Sequence, residues 1–516
     1  MNVTNVRFAG PSRLLLLLAC FLPAAARAAE EPPDLARLLA TVRNAGAVTR
    51  DAHVARTATV TIDDRTYRLL DDTAGDRAWT RRCDQDICEG VYFDGSRSYD
   101  VGINGTALPR TLHADPVAIT MRASESGAFA TSSFAAAGGS VASLGLLPAA
   151  EVVPKDCAHQ FAATLRNLAV TAPNGALLHV LIDPHRGLVA AIRSNDDAST
   201  LALCDYRRVG RYRVPFQRWR DGKLVRQEQS IVLDPAAPSA PRGLDVRFEG
   251  APSAIPMQTV RPRSNQPVVP CSLGGVGVAC LIDTGNSGLG ISLDLVERLD
   301  LPVSGEFAIA GLGQYLTGIV QAGPLRVGAM TLGSARFVVL HDLHDLGYDV
   351  VLGADALAAA RVTLDYPHRA VTFTPHSPAD AQATIPLRFA SLLPIVGAQF
   401  GALDASLTID TGDESNVDLA QPFYAAHAGL FVPSSSRSVA GIGGVGQQVL
   451  GTIPDVRIAT YDVVNQPIGA TDAAGSVADG RLGSGFLSHF SVIFDYANGR
   501  LGLWPRGGDP AVRSGD

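Results

Sequence analysis

The chain lacks a basic stripe interleaved with aromatics, a Cys-x-x-Cys pair beginning at Cys83 or Cys157, a His-x-x-x-His pair and, beyond Ala28, any apolar run long enough to cross a bilayer. Each absence excludes something. Without a basic face, nucleic acid is not implicated as a partner. Without cysteine or histidine pairs at ligand spacing, no zinc motif is present and neither a metal nor a cofactor is expected; His341-Asp342-Leu343-His344-Asp345 reads as a solvated loop. No transmembrane segment is expected. Charged residues make up only 18% of the chain, and the net charge of −7 bears on solubility and not on fold.

Glycine and proline are plentiful: 51 and 32 of 516 residues, which suits a β-rich exported protein long enough for two or three domains. The most informative feature is a repeat. Asp283-Thr284-Gly285 and Asp410-Thr411-Gly412 each end an apolar run, Val278-Ala279-Cys280-Leu281-Ile282 and Ala405-Ser406-Leu407-Thr408-Ile409. Around them Pro267-Val268-Val269 aligns with Pro394-Ile395-Val396 at the same offset of 127. Further on, Gly311-Leu312-Gly313 aligns with Gly441-Ile442-Gly443, and Val351-Leu352-Gly353 with Arg481-Leu482-Gly483, at an offset of 130. Two copies in register imply one active site built from two halves.

These motifs resemble retropepsin-like aspartic proteases of the bacterial, two-lobed single-chain kind. The resemblance covers residues 255 to 507. It implies a mainly β fold: two β-barrel lobes related by a pseudo-twofold, 255–380 and 381–507, with one chain supplying what two supply in a symmetric dimer, hence a monomer. Asp283 and Asp410 become the catalytic dyad. Thr284, Gly285, Asn286, Ser287, Thr411, Gly412, Gly353 and Gly483 support it, and Gly311, Gly313, Tyr315, Gly441 and Gly443 belong to flaps that contact an extended peptide or protein substrate.

The residues support the same chemistry on their own terms. Hydrolysing a peptide bond without metal or covalent intermediate needs a base to activate water and an acid to protonate the carbonyl oxygen; two adjacent carboxylates sharing a proton supply both. Gly285 and Gly412 are expected to adopt backbone conformations closed to other residues. Lobe two departs from lobe one: Asn286-Ser287 is followed in register by Asp413-Glu414-Ser415, so a serine whose hydroxyl would bond the outer carboxylate oxygen comes one step late. If Asp413 or Glu414 faces inward, its charge raises the dyad's second pKa. Gly441-Ile442-Gly443-Gly444-Val445-Gly446 matches the dinucleotide-binding pattern formally, but no helix-like segment follows it.

The first 28 residues read as a signal peptide, with Arg7 and Arg13 ahead of or within the start of a short apolar run and a small-x-small site at Ala26-Arg27-Ala28. The protein is therefore expected in the periplasm or secreted. In the alternative reading Leu17-Leu18-Ala19-Cys20 is a lipoprotein site, with Cys20 the lipid anchor. The six remaining cysteines suit an oxidising compartment. Folding the Cys271 to Cys280 hairpin about Gly275 and Val276 sets those two opposite each other; Cys83 with Cys88 closes a short loop, leaving Cys157 for Cys204. Residues 29–233 read as a β-rich N-terminal domain, partly helical between Pro116 and Leu147, whose end loosely resembles the open barrel of periplasmic lipoprotein carriers. Residues 234–254 read as a proline-rich linker and 508–516 as a tail.

The expected function is an exported aspartic endopeptidase. The alternatives are a non-catalytic protein that uses the cleft to hold a peptide or envelope component, and lipid or lipoprotein handling by the N-terminal domain.

Overall fold

A computed structural model describes residues 32–45, 53–62, 65–74, 77–94, 96–110, 121, 124–125, 127–173, 175–194, 199–210, 212–233, 240–262, 264–341, 343–377, 384–472 and 476–514. The expected signal peptide, with Cys20, and residues 234–239 of the expected linker lie outside them. Among the described residues no helix is long and apolar enough to cross a membrane.

The chain is mainly β, in four sheets. The first has thirteen strands from Val54–Ile62 to Lys223–Leu233, all antiparallel. Its first and last strands pair with each other in mid-sheet, and Ala107–Pro109 and Ser140–Pro148 form its edges. In the chain between these edge strands the described residues form short helical pieces, Ala128–Ala130 and Ser132–Ala136 among them, and residues 111–120 lie outside the described set. Helix Pro32–Asn44 lays Leu38 and Val42 on Leu168, Val170 and Leu178 of the sheet, closing one core. At Asp221-Gly222 both residues have positive φ, 50° and 78°, the geometry that two-residue hairpin turns require and Asp-Gly readily adopts.

The other three sheets contain ten, six and nine strands. The six-stranded sheet draws on both halves of the repeat: Arg361–Asp365 pairs antiparallel with Phe490–Asp495, matching Val362 with Phe494 and Leu364 with Val492. One hydrophobic core runs from Ile255 to Leu503 through all three and takes in Leu108 of the first sheet. Strands at its centre are covered on both faces, so Leu289–Ser292 and Val350–Leu352 are buried without alternation.

Two segments expected to be irregular form strands. Val246–Phe248, within the linker, pairs with Met330–Leu332, and Val512–Ser514, within the tail, pairs with Tyr461–Thr471. In each case a sheet edge offers unpaired backbone groups for a short extended segment to satisfy. A third difference concerns the Cys271 hairpin. Its turn is Gly274-Gly275, at φ 58° and 90°, so Leu273 faces Val276, Cys271 faces Val278 and Val269 faces Cys280. The turn takes the two residues that tolerate positive φ. Cys271 and Cys280 are therefore diagonal neighbours, with Cα atoms 6.0 Å apart, and still bond; Cys83–Cys88 and Cys157–Cys204 form the other two disulfides.

The thirteen-stranded sheet docks on both lobes: Leu108 joins their hydrophobic core, the Ser391 N–H of lobe two donates to Asp100 (2.9 Å), and lobe one makes further polar contacts. The Asn104 amide donates to the Arg336 carbonyl (2.9 Å) and to the Asp355 carboxyl (2.7 Å), while its oxygen accepts from the Arg336 N–H (2.8 Å). Asp84, in the hairpin closed by Cys83–Cys88, accepts from the Glu306 N–H at 2.7 Å.

Candidate active site

Each Asp-Thr-Gly follows an apolar strand held by a parallel neighbour. Cys280, Leu281 and Ile282 pair with Val350, Val351 and Leu352; Leu407 to Asp410 pair with Gly480 to Gly483. Burial of Ile282 and Ile409 fixes the strand ends, which sets both aspartates at the floor between the lobes.

The threonines lock the two turns together. Thr284 Oγ1 donates to the Ile409 carbonyl (2.6 Å) and accepts from the Thr411 N–H (3.0 Å). Thr411 Oγ1 does the reverse, donating to the Ile282 carbonyl (2.7 Å) and accepting from the Thr284 N–H (3.0 Å). Four buried backbone groups that the turns leave unpaired are thereby satisfied.

The Asp283 and Asp410 carboxyls lie beside each other, each against the glycine of the opposite turn, and their charges interact. Asp283 Oδ1 accepts from the Gly285 N–H (2.8 Å), and Asp410 Oδ1 from the N–H groups of Gly412 and Asp413 (3.1 Å each). Burial, the largest cause, raises the pKa of both. Asp410 reaches about 7, with the Asp283 charge adding to the burial and Arg481 opposing it. One proton is thus retained by the pair well above the ordinary carboxylate range.

The glycines serve differently from what their conformational freedom suggests. Neither Gly285 nor Gly412 has positive φ. Instead a Cβ on Gly285 would overlap the Asp410 carboxyl, and one on Gly412 would press into that of Asp283. Gly353 and Gly483 are needed for the same kind of close approach: a Cβ would strike the carbonyls of Asn286 and Gly288 in one lobe, and of Ser415 and Asp413 in the other. Their N–H groups bond Gly288 O (2.9 Å) and Asn416 O (3.0 Å). Gly288 and Asn416 are 128 apart where the aspartates are 127 apart, so the second turn carries one extra residue.

Ser287 is exposed, and among the described residues it makes no hydrogen bond to Asp283, unlike the serine of the resembled pattern. In lobe two Asp413 turns inward with its side chain 20% exposed, whereas Glu414 points out and pairs with Arg261 at 2.8 Å. Asn286 uses its side chain locally, accepting from the Gly288 N–H at 3.0 Å.

Both flap tips meet. The Leu312 N–H donates to Ile442 O at 2.8 Å, and the tips pass so closely that a Cβ on Gly311 or Gly313 would strike the Ile442 or Gly443 carbonyl. Gly441 lies against Leu312. Tyr315 packs edge-on to His341, with ring centroids 5.6 Å apart, in a cluster that includes Ile309, Tyr348 and Ile442.

Three residues that motif reading passes over complete the site. Gln266 donates its side-chain amide to the Gly412 carbonyl, so lobe one braces the turn of lobe two. Arg481 and Asp418 form an ion pair at 2.7 Å beside Asp410. The signal for these two was present in the repeat, where an arginine stands in register with Val351.

A family model described as aspartyl protease matches residues 269–356, which include Asp283 and Gly353 and end before Asp410. The chain thus carries an aspartyl protease-like segment. No curated protein matches it by sequence. Among solved structures, the crystal structure of basic 7S globulin from soybean aligns at 13% identity over 50% of this chain and 94% of its own, with a TM-score of 0.31, a likeness too slight to add to the fold described above.

Proposed function

We propose that the chain is an exported aspartic endopeptidase and that Asp283 and Asp410 hydrolyse a peptide bond through a water held between them. The observation that carries this reading is the juxtaposed carboxyl pair, Asp283 buried and Asp410 only 14% exposed, whose turns are cross-braced by Thr284 and Thr411. With one proton on the pair, the ionised carboxylate takes a proton from water as its oxygen attacks the carbonyl carbon. The protonated carboxyl gives its proton to the carbonyl oxygen, and the tetrahedral diol forms. Collapse breaks the C–N bond, the amine leaving with a proton and the dyad returning to its singly protonated state.

The flap hairpins at Gly311–Gly313 and Gly441–Gly443 cover an extended peptide, so opening them precedes substrate entry. The reading includes a monomer of two lobes, residues 255–380 and 381–507, behind an N-terminal domain of residues 29–233. It also includes delivery to the periplasm or outside the cell, in keeping with three disulfides.

The test is cleavage of a mixed peptide library from acidic to neutral pH by the wild type and by Asp283→Asn and Asp410→Asn. Each amide keeps the shape of the carboxyl and cannot hold the shared proton, so both variants should fold and lose hydrolysis. Turnover near wild type in either one would falsify the assignment of the dyad.

A further inference from the structure

The two halves of the site differ most in charge. In lobe one Gly290 and Val351 are cross-strand partners; in lobe two the corresponding pair is Asp418 and Arg481. Asp418 is 3% exposed and its acceptors are filled: Oδ2 takes the Arg481 guanidinium at 2.7 Å, while Oδ1 takes Thr471 Oγ1 at 2.8 Å and Gln448 Nε2 at 3.0 Å. The anchored guanidinium then extends toward the dyad, with Nε 3.5 Å from Asp413 Oδ2 and Nη1 3.8 Å from Asp410 Oδ2. A half-buried cation beside a carboxyl pair is not needed to hold a strand, since Val351 does that in lobe one.

We propose that Arg481, fixed by Asp418, is a positioning residue for the dyad that orients Asp410 and Asp413 and sets the pH at which the dyad gives up its shared proton. This rests on the peptidase reading of Asp283 and Asp410. Among the described residues the site holds four carboxyls, Asp283, Asp410, Asp413 and Asp418, and the cation Arg481 is in contact with three of them. The neighbouring charges are Arg261 and Glu414, which neutralise each other on the outside, and the Tyr348 phenol, whose pKa burial pushes up to about 12 so that it stays neutral through the working range. Within this group Arg481 favours the ionised dyad and Asp413 opposes it. The two residues therefore act on the proton in opposite senses.

That opposition supplies the experiment. Arg481→Met alone leaves Asp418 buried without its cation and invites unfolding, so the charge is removed with Arg481→Gln/Asp418→Asn, which keeps hydrogen-bonding groups at both positions. This double variant removes a cation that acts directly on Asp410 and a carboxylate that lies farther from it, so it should move the upper limb of the pH profile of kcat/KM to higher pH, and Asp413→Asn should move it toward acid. Arg481→Lys, which keeps the charge and loses the fork, should hold the limb in place while lowering kcat. The same titrations are read without turnover from 13C-carboxyl chemical shifts of aspartate-labelled protein, with the dyad assigned through Asp283→Asn and Asp410→Asn. Shifts in opposite directions support the role of Arg481. Folded variants whose limb and carboxyl titrations stay at the wild-type position overturn it and leave Arg481 a packing residue. A wild type that cleaves nothing, but whose dyad titration moves as stated, overturns the peptidase reading and supports the charge role.

Discussion

Gly285 lies directly against the carboxyl of Asp410, so closely that even a single methyl group on Gly285 would occupy the place of the carboxyl. Gly412 stands in the same relation to Asp283. The backbone at both positions is open to any residue, since neither φ is positive. Gly285→Ala and Gly412→Ala should therefore fold with little backbone strain and still displace the opposite aspartate. The expected loss in kcat/KM is on the order of 10²-fold, with a circular-dichroism spectrum like that of the wild type. Full activity in the alanine variants would contradict the close approach.

Replacing Thr284 or Thr411 by valine keeps the shape and removes the hydroxyl. Each change leaves one carbonyl and one N–H buried and unpaired. The expected cost is about 1–3 kcal/mol for each orphaned group, read from denaturant unfolding; serine at the same position should recover most of it.

The raised carboxyl pKa values tie stability to pH. Asp410 and Asp413 stand at about 7 and about 6 in the fold against an ordinary value of 3.8, burial being the first cause for both. The folded state binds their protons more tightly than the unfolded state does. Their contribution is therefore fully present below pH 3.8 and is lost as pH rises through 6 and 7. The thermal midpoint should fall over that window, and Asp410→Asn should flatten the fall. A wild-type midpoint that instead climbs from pH 4 to pH 7, with no such flattening in the variant, would contradict the buried dyad.

Glu414 stands outside this set. Its carboxylate is 46% exposed and pairs with Arg261, an arrangement of small energetic weight. Glu414→Ser should leave the upper limb of the pH profile where it is, in contrast to Asp413→Asn. Movement with Glu414→Ser would mean that its charge reaches the dyad.

At the docking surface, Asn104→Ala removes a donor from the buried Asp355 carboxyl, whose pKa burial already raises. The bonds to the Arg336 backbone are lost at either pH, and the ionised carboxyl loses its donor in addition. The destabilisation should be about 1–3 kcal/mol near neutral pH and smaller at pH 4, measured by urea unfolding at both.

Much of the site was legible because the chemistry is local. The apolar run before each Asp-Thr-Gly, the register of the two copies and the glycines of each lobe fix where strands end and which carboxyls lie at those ends. The inward turn of Asp413 and the outward turn of Glu414 were not legible. They depend on the one extra residue in the second turn and on where Arg261 and Arg481 fall in space. Nor was the shift in the Cys271 hairpin, which followed from two adjacent glycines both taking positive φ.

The sequence by itself determined a mainly β chain with two equivalent aspartates, since apolar runs, glycine placement and a repeat are properties of contiguous residues. Tertiary structure alone decided that Gly285 serves the carboxyl of the other lobe. It also decided that Asn104 reaches Asp355 across 251 positions and that Arg481 finds Asp418 across a strand pair. These contacts join segments far apart in the chain, and their energies depend on burial and on distances that no local pattern encodes.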